Sequence, residues 1–286
     1  PFGVWREAYL KGAKQPIAIA VERDKGRVSV HHTFIYGTPE MAEADYRYVE
    51  RYVKFLLWST GGFRVCICGC SELAQRLQKA YTPEGERHFD FTFVNQLYER
   101  DLEILDLPLD ACPAANEIAE PMGGNMDGCR IGFDAGGSDR KVSAVIDGEA
   151  VYSEEVVWFP KTNSDPDYHY NGIVAALKSA AEHMPRVDAV GVSSAGVYID
   201  NRTMNASLFL KVPKDLFDAK VKDIYIRAIT DTFGNVPYAV ANDGDVSALA
   251  GTMSLNDNNV LGIAMGTSEA VGYVDENGQI TGWLNE

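Results

Sequence analysis

The apolar positions of this chain change period along its length, and each change marks an element. Pro16-Ile17-Ala18-Ile19-Ala20-Val21 is an apolar run of strand length, and Arg27-Val28-Ser29-Val30-His31 alternates in twos. Both read as strands, joined by a hairpin turn at Asp24-Lys25-Gly26. Thr38-Pro39 has the form of a helix start, cap then Pro at the first position. Val49, Tyr52, Val53 and Leu56 then fall on one helical face until Gly61-Gly62 stops it. Phe63 to Cys68 reads as a buried strand and Glu72 to Ala80 as a helix. From Leu105 to Asp127 the prolines and Gly123-Gly124 predict a linker or long loop.

A second block begins at Cys129. Ile131-Gly132-Phe133-Asp134 is a strand that turns at Gly136-Gly137. Val142 to Ile146 returns, and Asp147-Gly148 turns the chain into a third strand at Ala150. Ile173, Ala176, Leu177, Ala180 and Met184 mark a helix. Strands are predicted at 188–192, 238–240 and 260–265, with helices over 215–233 and 243–253 and a last hairpin turn at Asn277-Gly278. Hairpins followed by alternating helices and strands predict a mixed sheet with helices on its faces.

A formal net charge of -15 argues against nucleic acid as a main partner, because phosphate backbones reward clustered Lys and Arg. No apolar run is long enough to span a bilayer, and no leader pattern follows Pro1. The five cysteines do not form a secreted disulfide framework, so a reducing cytoplasm is expected. Three of them form Cys66-Ile67-Cys68-Gly69-Cys70, which strand alternation places on one face. No second pair accompanies them, and core packing is the expectation.

Three segments could carry chemistry. Asp134-Ala135-Gly136-Gly137-Ser138 ends a strand in a turn whose exposed N–H groups can form an anion nest, with the Ser138 hydroxyl as a further donor. Asp134 at the strand end suits hydrated Mg²⁺. The alternative is a glycine-rich hairpin that binds nothing. Asn242-Asp243 follows a strand and opens a helix, where a carboxylate is kept ionised by the helix dipole and an amide can recognise a polyol. The alternative is a plain helix cap. Gly262 to Ser268 is another strand leading into a small polar turn, either a second phosphate cradle or an ordinary hairpin.

In this order and spacing the segments resemble the ROK family of bacterial sugar kinases and sugar-responsive regulators, over about residues 129 to 286. Ile131 to Ser138 resembles its first phosphate motif, Asp-x-Gly-Gly-Thr. Ala189 to Gly196 resembles the strand and glycine turn after the first helix, and Ala241 to Ala250 resembles Glu-Asn-Asp-x-Asn-x-x-Ala-Leu. Ile263 to Gly272 resembles Gly-Thr-Gly-x-Gly-Gly, and Gly282 to Glu286 the start of Gly-x-x-Gly-Glu-x-Gly-His.

The resemblance implies an α/β fold of the actin-like ATPase (ribonuclease H-like) class, a mixed sheet flanked by helices. It would comprise an α+β module of unknown role at 1–120, a first lobe at 129–240, and the start of a second lobe, incomplete at 286, from 241. It implies a cytoplasmic sugar kinase that takes ATP, Mg²⁺ and a small sugar, with no nucleic acid or membrane partner, and it allows a homo-oligomer. Asp243 would be the base, with Asn242, Gly196 and Glu286 at the sugar. Gly136, Gly137, Ser138, Gly266 and Thr267 would surround the ATP phosphates, with Mg²⁺ near Asp134. Two departures stand out. Asp139 follows Ser138, and Ser268-Glu269-Ala270-Val271 replaces Gly-x-Gly-Gly. They leave open a sugar-binding sensor without kinase activity, and a purely structural protein with both sites dead.

Overall fold

The computed structural model describes residues 1–119, 122–265 and 269–281. Its contacts divide the chain into two compact units, Pro1–Ile118 and Ala119–Thr281.

The first unit contains α1 (Phe2–Leu10), β1 (Gln15–Glu22), β2 (Val28–Ile35), α2 (Ala42–Ser59), β3 (Arg64–Cys68), α3 (Ser71–Ala80), α4 (His88–Tyr98) and β4 (Glu103–Leu107). The sheet order is β2-β1-β3-β4, with β1 antiparallel to both neighbours and β4 parallel to β3. One face, with Ile17, Ile19, Val21 and Val65, joins Val49, Val53 and Leu56 of α2 in the larger core. Ala18, Ala20, Cys66 and Cys68 form a second cluster. Burial pushes the Cys66 thiol up to about 11 and the Cys68 thiol to about 12, so both stay protonated near neutrality. Cys70 departs from the expected single face. Gly69 turns the chain at φ +99°, and Cys70 packs against the larger core instead.

Three further differences have physical causes. Part of the predicted linker is strand β4, recruited by parallel pairing to β3. Helix α4 shows no helical stripe, because Phe89, Phe91 and Phe93 alternate in twos. It is held by tertiary contacts: Phe89 and Phe93 lie parallel to Trp58, whose indole N–H donates to Asp90. Thr38 makes no side-chain cap bond, and α2 is entered instead through a single 3-10 turn at Pro39–Met41.

The second unit opens with a meander of β5 (Cys129–Ala135), β6 (Asp139–Ile146) and β7 (Glu149–Val157). There follow α5 (Pro166–Ala181), β8 (Ala189–Ser194), β9 (Val197–Ile199), β10 (Arg202–Asn205), α6 (Lys214–Leu216), α7 (Ile224–Phe233), β11 (Tyr238–Asn242), α8 (Asp243–Leu255), β12 (Val260–Met265) and β13 (Glu269–Val274). The main sheet runs β11-β8-β5-β6-β7. The meander is antiparallel, while β5, β8 and β11 are mutually parallel. This is a mixed α/β sheet, as the alternation of elements predicts. Ile131, Phe133, Val190 and Val192 face one way and bury against Ile173, Leu177, Ala228 and Ile229 of α5 and α7. Each such aliphatic side chain contributes about 1.5–3 kcal/mol when fully buried.

The helix predicted over 215–233 is broken. A π turn at Phe217–Val221 separates α6 from α7 and leaves Phe217 against Phe209 while Val221 is buried. The β9–β10 hairpin, turned by Asp200 and Asn201 at positive φ, has strands too short to show a period. Among the described residues no helix is long and apolar enough to cross a membrane.

Helix α8 lies directly on the β12–β13 hairpin. A Cβ on Gly272 would fall 2.3 Å from the Asp245 nitrogen, and one on Gly262 would fall 2.1 Å from the Ala248 nitrogen. Backbone meets backbone there, so even a methyl group forces the helix away. Gly272→Ala is expected to destabilise the unit by about 1–3 kcal/mol or more, from overpacking. Urea denaturation followed by far-UV circular dichroism checks this, and an unchanged midpoint would mean that the helix does not sit this close.

Candidate functional site

Three parallel strands end together. Ala135 of β5 pairs with Ser194 of β8, and Ser194 pairs with Asn242 of β11, so the three C-terminal residues form one row. Carboxyl ends of parallel strands are where open α/β sheets bind ligands, because loops and helix N-termini converge there. Asp134, one residue before the row, alternates to the sheet face opposite Phe133 and Ala135 and pairs across the ladder with Lys141.

Asn242 is buried and uses both ends of its amide. Oδ1 accepts from the Gly244 N–H at 2.8 Å, capping α8, and Nδ2 donates to the Gly196 carbonyl at 2.8 Å. One acceptor lone pair and one N–H remain for a ligand. Gly196 has φ +140°, and a Cβ there would lie 2.5 Å from the Asn205 carbonyl oxygen. Only glycine therefore lets the turn after β8 present its carbonyl to Asn242.

Asp243 is the first residue of α8 and is half-buried. Its Oδ1 is inaccessible and has no hydrogen-bond partner among the described residues. Burial pushes this carboxyl above its ordinary range. Backbone N–H bonds at the helix start pull it back, and the charge of nearby Asp134 raises it further. The result is a partly desolvated carboxylate at the strand ends, whose enclosed Oδ1 makes no hydrogen bond among the described residues.

Beneath the row, the Tyr225 hydroxyl donates to Ser194 Oγ at 3.0 Å, and Tyr198 donates to the Ala195 carbonyl at 3.3 Å. Burial raises both phenols, Tyr225 to about 12, so they remain neutral donors.

Gly136, Gly137 and Ser138 form the turn from β5 into β6. Trp158, fully buried, donates its indole N–H to the Gly136 carbonyl at 2.8 Å, and its main-chain N–H to the Ser138 carbonyl at 3.1 Å. Ser138 Oγ donates to Asp139 Oδ2 at 2.9 Å, and Lys141 is ion-paired with the same carboxylate. Gly266, Thr267 and Glu286 lie outside the described residues. The structure thus brings Asp134, Gly196, Asn242 and Asp243 to the end of one sheet, with Gly136 to Ser138 directly after β5. Trp158, Tyr198 and Tyr225 have no signal in the motif spacing, since folding alone brings them there. Asp139 is visible in the sequence as a departure, with Arg140 and Lys141 beside it as cations able to offset it, and Lys141 is the one that pairs with it.

For a metal, the fit is to Mg²⁺. That ion keeps several waters and needs as few as one carboxylate, which Asp134 at the end of β5 can supply. Among the described residues no group of three or more His, Cys, Asp or Glu side chains is arranged to hold a metal by itself.

No protein-family model and no curated protein matches the chain. Solved structures do overlap with part of it. A ROK hexokinase from Thermus thermophilus is 16% identical over 53% of this chain and 47% of its own, with a TM-score of 0.41. An inorganic polyphosphate/ATP-glucomannokinase from Arthrobacter sp. strain KM is 21% identical over 54% of this chain and 60% of its own, with a TM-score of 0.42. A glucokinase from Parabacteroides distasonis is 19% identical over 55% and 46%, with a TM-score of 0.38. The chain thus spans about half the length of these structures.

Asn242→Ala removes the cap of α8 and the bond to Gly196 together. It is expected to cost about 1–2 kcal/mol of unfolding free energy. Asn242→Asp keeps the cap acceptor but turns a buried charged oxygen toward the Gly196 carbonyl, and should recover none of that loss in the same denaturation assay at neutral pH.

Proposed function

We propose that this chain carries the catalytic residues of an ATP-dependent carbohydrate kinase, which transfers the γ-phosphoryl group to a hydroxyl of a hexose or amino sugar. The reading rests on one observation above the rest. Asp243, half-buried and raised in pKa, directly follows Asn242 at the row where three parallel strands end.

In this reading the sugar hydroxyl lies against Asp243, with the spare donor and acceptor of Asn242 and the Gly196 turn orienting its neighbours. Glu286 is assigned to another sugar hydroxyl from the motif resemblance. As the sugar oxygen attacks the γ-phosphorus, its proton passes to Asp243 and the bond to the bridging oxygen breaks, releasing ADP. Positioning and charge neutralisation do most of the work in such a transfer. The Gly136-Gly137-Ser138 turn would hold phosphate oxygens from one side, and Gly266 and Thr267 from the other. Mg²⁺, held by Asp134, would neutralise charge on the phosphates when bound.

A second reading, a sugar-binding protein that transfers nothing, is favoured by one feature. The Ser138 hydroxyl and the Lys141 ammonium are both engaged by Asp139 rather than free for phosphate.

The deciding experiment measures ATP consumption with Mg²⁺ against a panel of hexoses and N-acetylated amino sugars. The kinase predicts sugar-dependent turnover that falls about 10²–10⁴-fold in Asp243→Asn. Thermal stabilisation by one sugar with no turnover would support the sensor and end the kinase reading.

The raised carboxyl adds two predictions. A base must be ionised, so turnover should fall as pH drops through the folded-state pKa of Asp243, above the ordinary 3.8. A raised carboxyl also means that the folded state binds the proton more readily than the unfolded state. Folded stability is therefore lost as pH rises from the unfolded pKa through the folded one, and neutral pH carries the full cost. Asp243→Asn should raise the melting temperature at pH 7, read by differential scanning calorimetry, while transfer falls as above, a trade between stability and activity.

A further inference from the structure

The turn between β5 and β6 already holds an anion of its own. Asp139 accepts from Ser138 Oγ at 2.9 Å and is ion-paired through its other oxygen with Lys141 Nζ. That oxygen also lies close to the turn backbone: a Cβ placed on Gly136 would be 3.3 Å from it. Hydroxyl, ammonium and glycine backbone are the groups a phosphate would seek in this turn.

The turn is not free to shed this arrangement by changing shape. Trp158 holds the Gly136 carbonyl with its indole and the Ser138 carbonyl with its main chain. No peptide in the described chain is cis. In a trans peptide the N–H points opposite to the C=O. With the Gly136 carbonyl held toward Trp158, the Gly137 N–H points away from Trp158. The side-chain donors of the turn are meanwhile spent on Asp139.

We propose that the Asp139 carboxylate is the resident anion of this turn, and that a polyphosphate reaches Ser138 and Lys141 only by displacing it. This rests on reading the turn as a phosphate site, and adds to it a control on that site. Asp139 sets how tightly phosphate is held and makes the empty turn self-satisfied. The bonds from Lys141 and Ser138 hold the carboxyl below its ordinary range, and Lys141 is raised in return by Asp139. Both groups keep their charge across the neutral range, so the occupant leaves by exchange with another anion rather than by protonation.

The test is calorimetric titration with inorganic tripolyphosphate at low salt, without Mg²⁺, on the wild-type chain, Asp139→Asn, and Asp139→Asn combined with Lys141→Ala. Asparagine keeps the shape of the side chain and removes its charge, and the site is partly exposed, so the fold is retained; circular dichroism checks this. Asp139→Asn should bind about tenfold more tightly than wild type, as expected for removing one like charge at contact distance near a surface. The double variant should lose that gain. Equal or weaker binding by Asp139→Asn, with wild type binding measurably, would overturn the resident-anion inference and leave the phosphate reading standing. A gain that survives Lys141→Ala would also overturn it, since no released ammonium is then involved. Absence of binding by all three chains would remove the phosphate reading of the turn and the inference with it.

Discussion

One buried amide joins the sheet to the helix that carries the candidate base. Asn242 ends β11, caps α8 through Oδ1, and holds the turn after β8 through Nδ2. The direction of Asp243, the next residue, follows from where this cap fixes the first turn of α8. Glycine at 196 is the condition for the second bond, and glycines at 262 and 272 are the condition for α8 to lie on its hairpin. The site thus depends on three places where a side chain is missing and one where a polar side chain is bonded at both ends. An unsatisfied amide at such a depth would cost about 1–3 kcal/mol, so the arrangement holds together as a set or not at all.

Two acids of the candidate site sit in opposite environments. Asp243 is partly desolvated, has no cationic partner among the described residues and is raised, while Asp139 is bonded to an ammonium and a hydroxyl and is lowered. Environments that push like groups apart in pKa assign them different tasks. The first is poised to take a proton. The second holds its charge and its neighbours, and Trp158 keeps the turn between them in shape.

The first unit reads differently. Some of its buried carboxylates are fully engaged in holding its own elements together. Asp45, for example, accepts from the Tyr9 hydroxyl and from the main-chain N–H groups of Tyr36 and Gly37. Cys66 and Cys68 have thiols raised by burial and behave as small apolar groups.

What could be read along the chain was whatever depends on near neighbours. The β5–β6–β7 meander was legible because alternation and tight turns are local, and so was the start of α8, where Asn-Asp after a strand is a cap whatever else it does. Asp134, Gly136, Gly137, Ser138, Asn242 and Asp243 stood out because short segments carry their own backbone requirements. Helix α4 was hidden because stacking against Trp58 outweighs its period-two pattern, and strand β4 because pairing to β3 outweighs a proline-rich context. Only the folded chain decided that Ala135, Ser194 and Asn242 end in one row, that Asp243 lies near enough to Asp134 to feel its charge, and that Trp158 reaches back 22 residues to the Gly136 carbonyl. Those facts are set by register, burial and contact between distant segments, which no local pattern encodes.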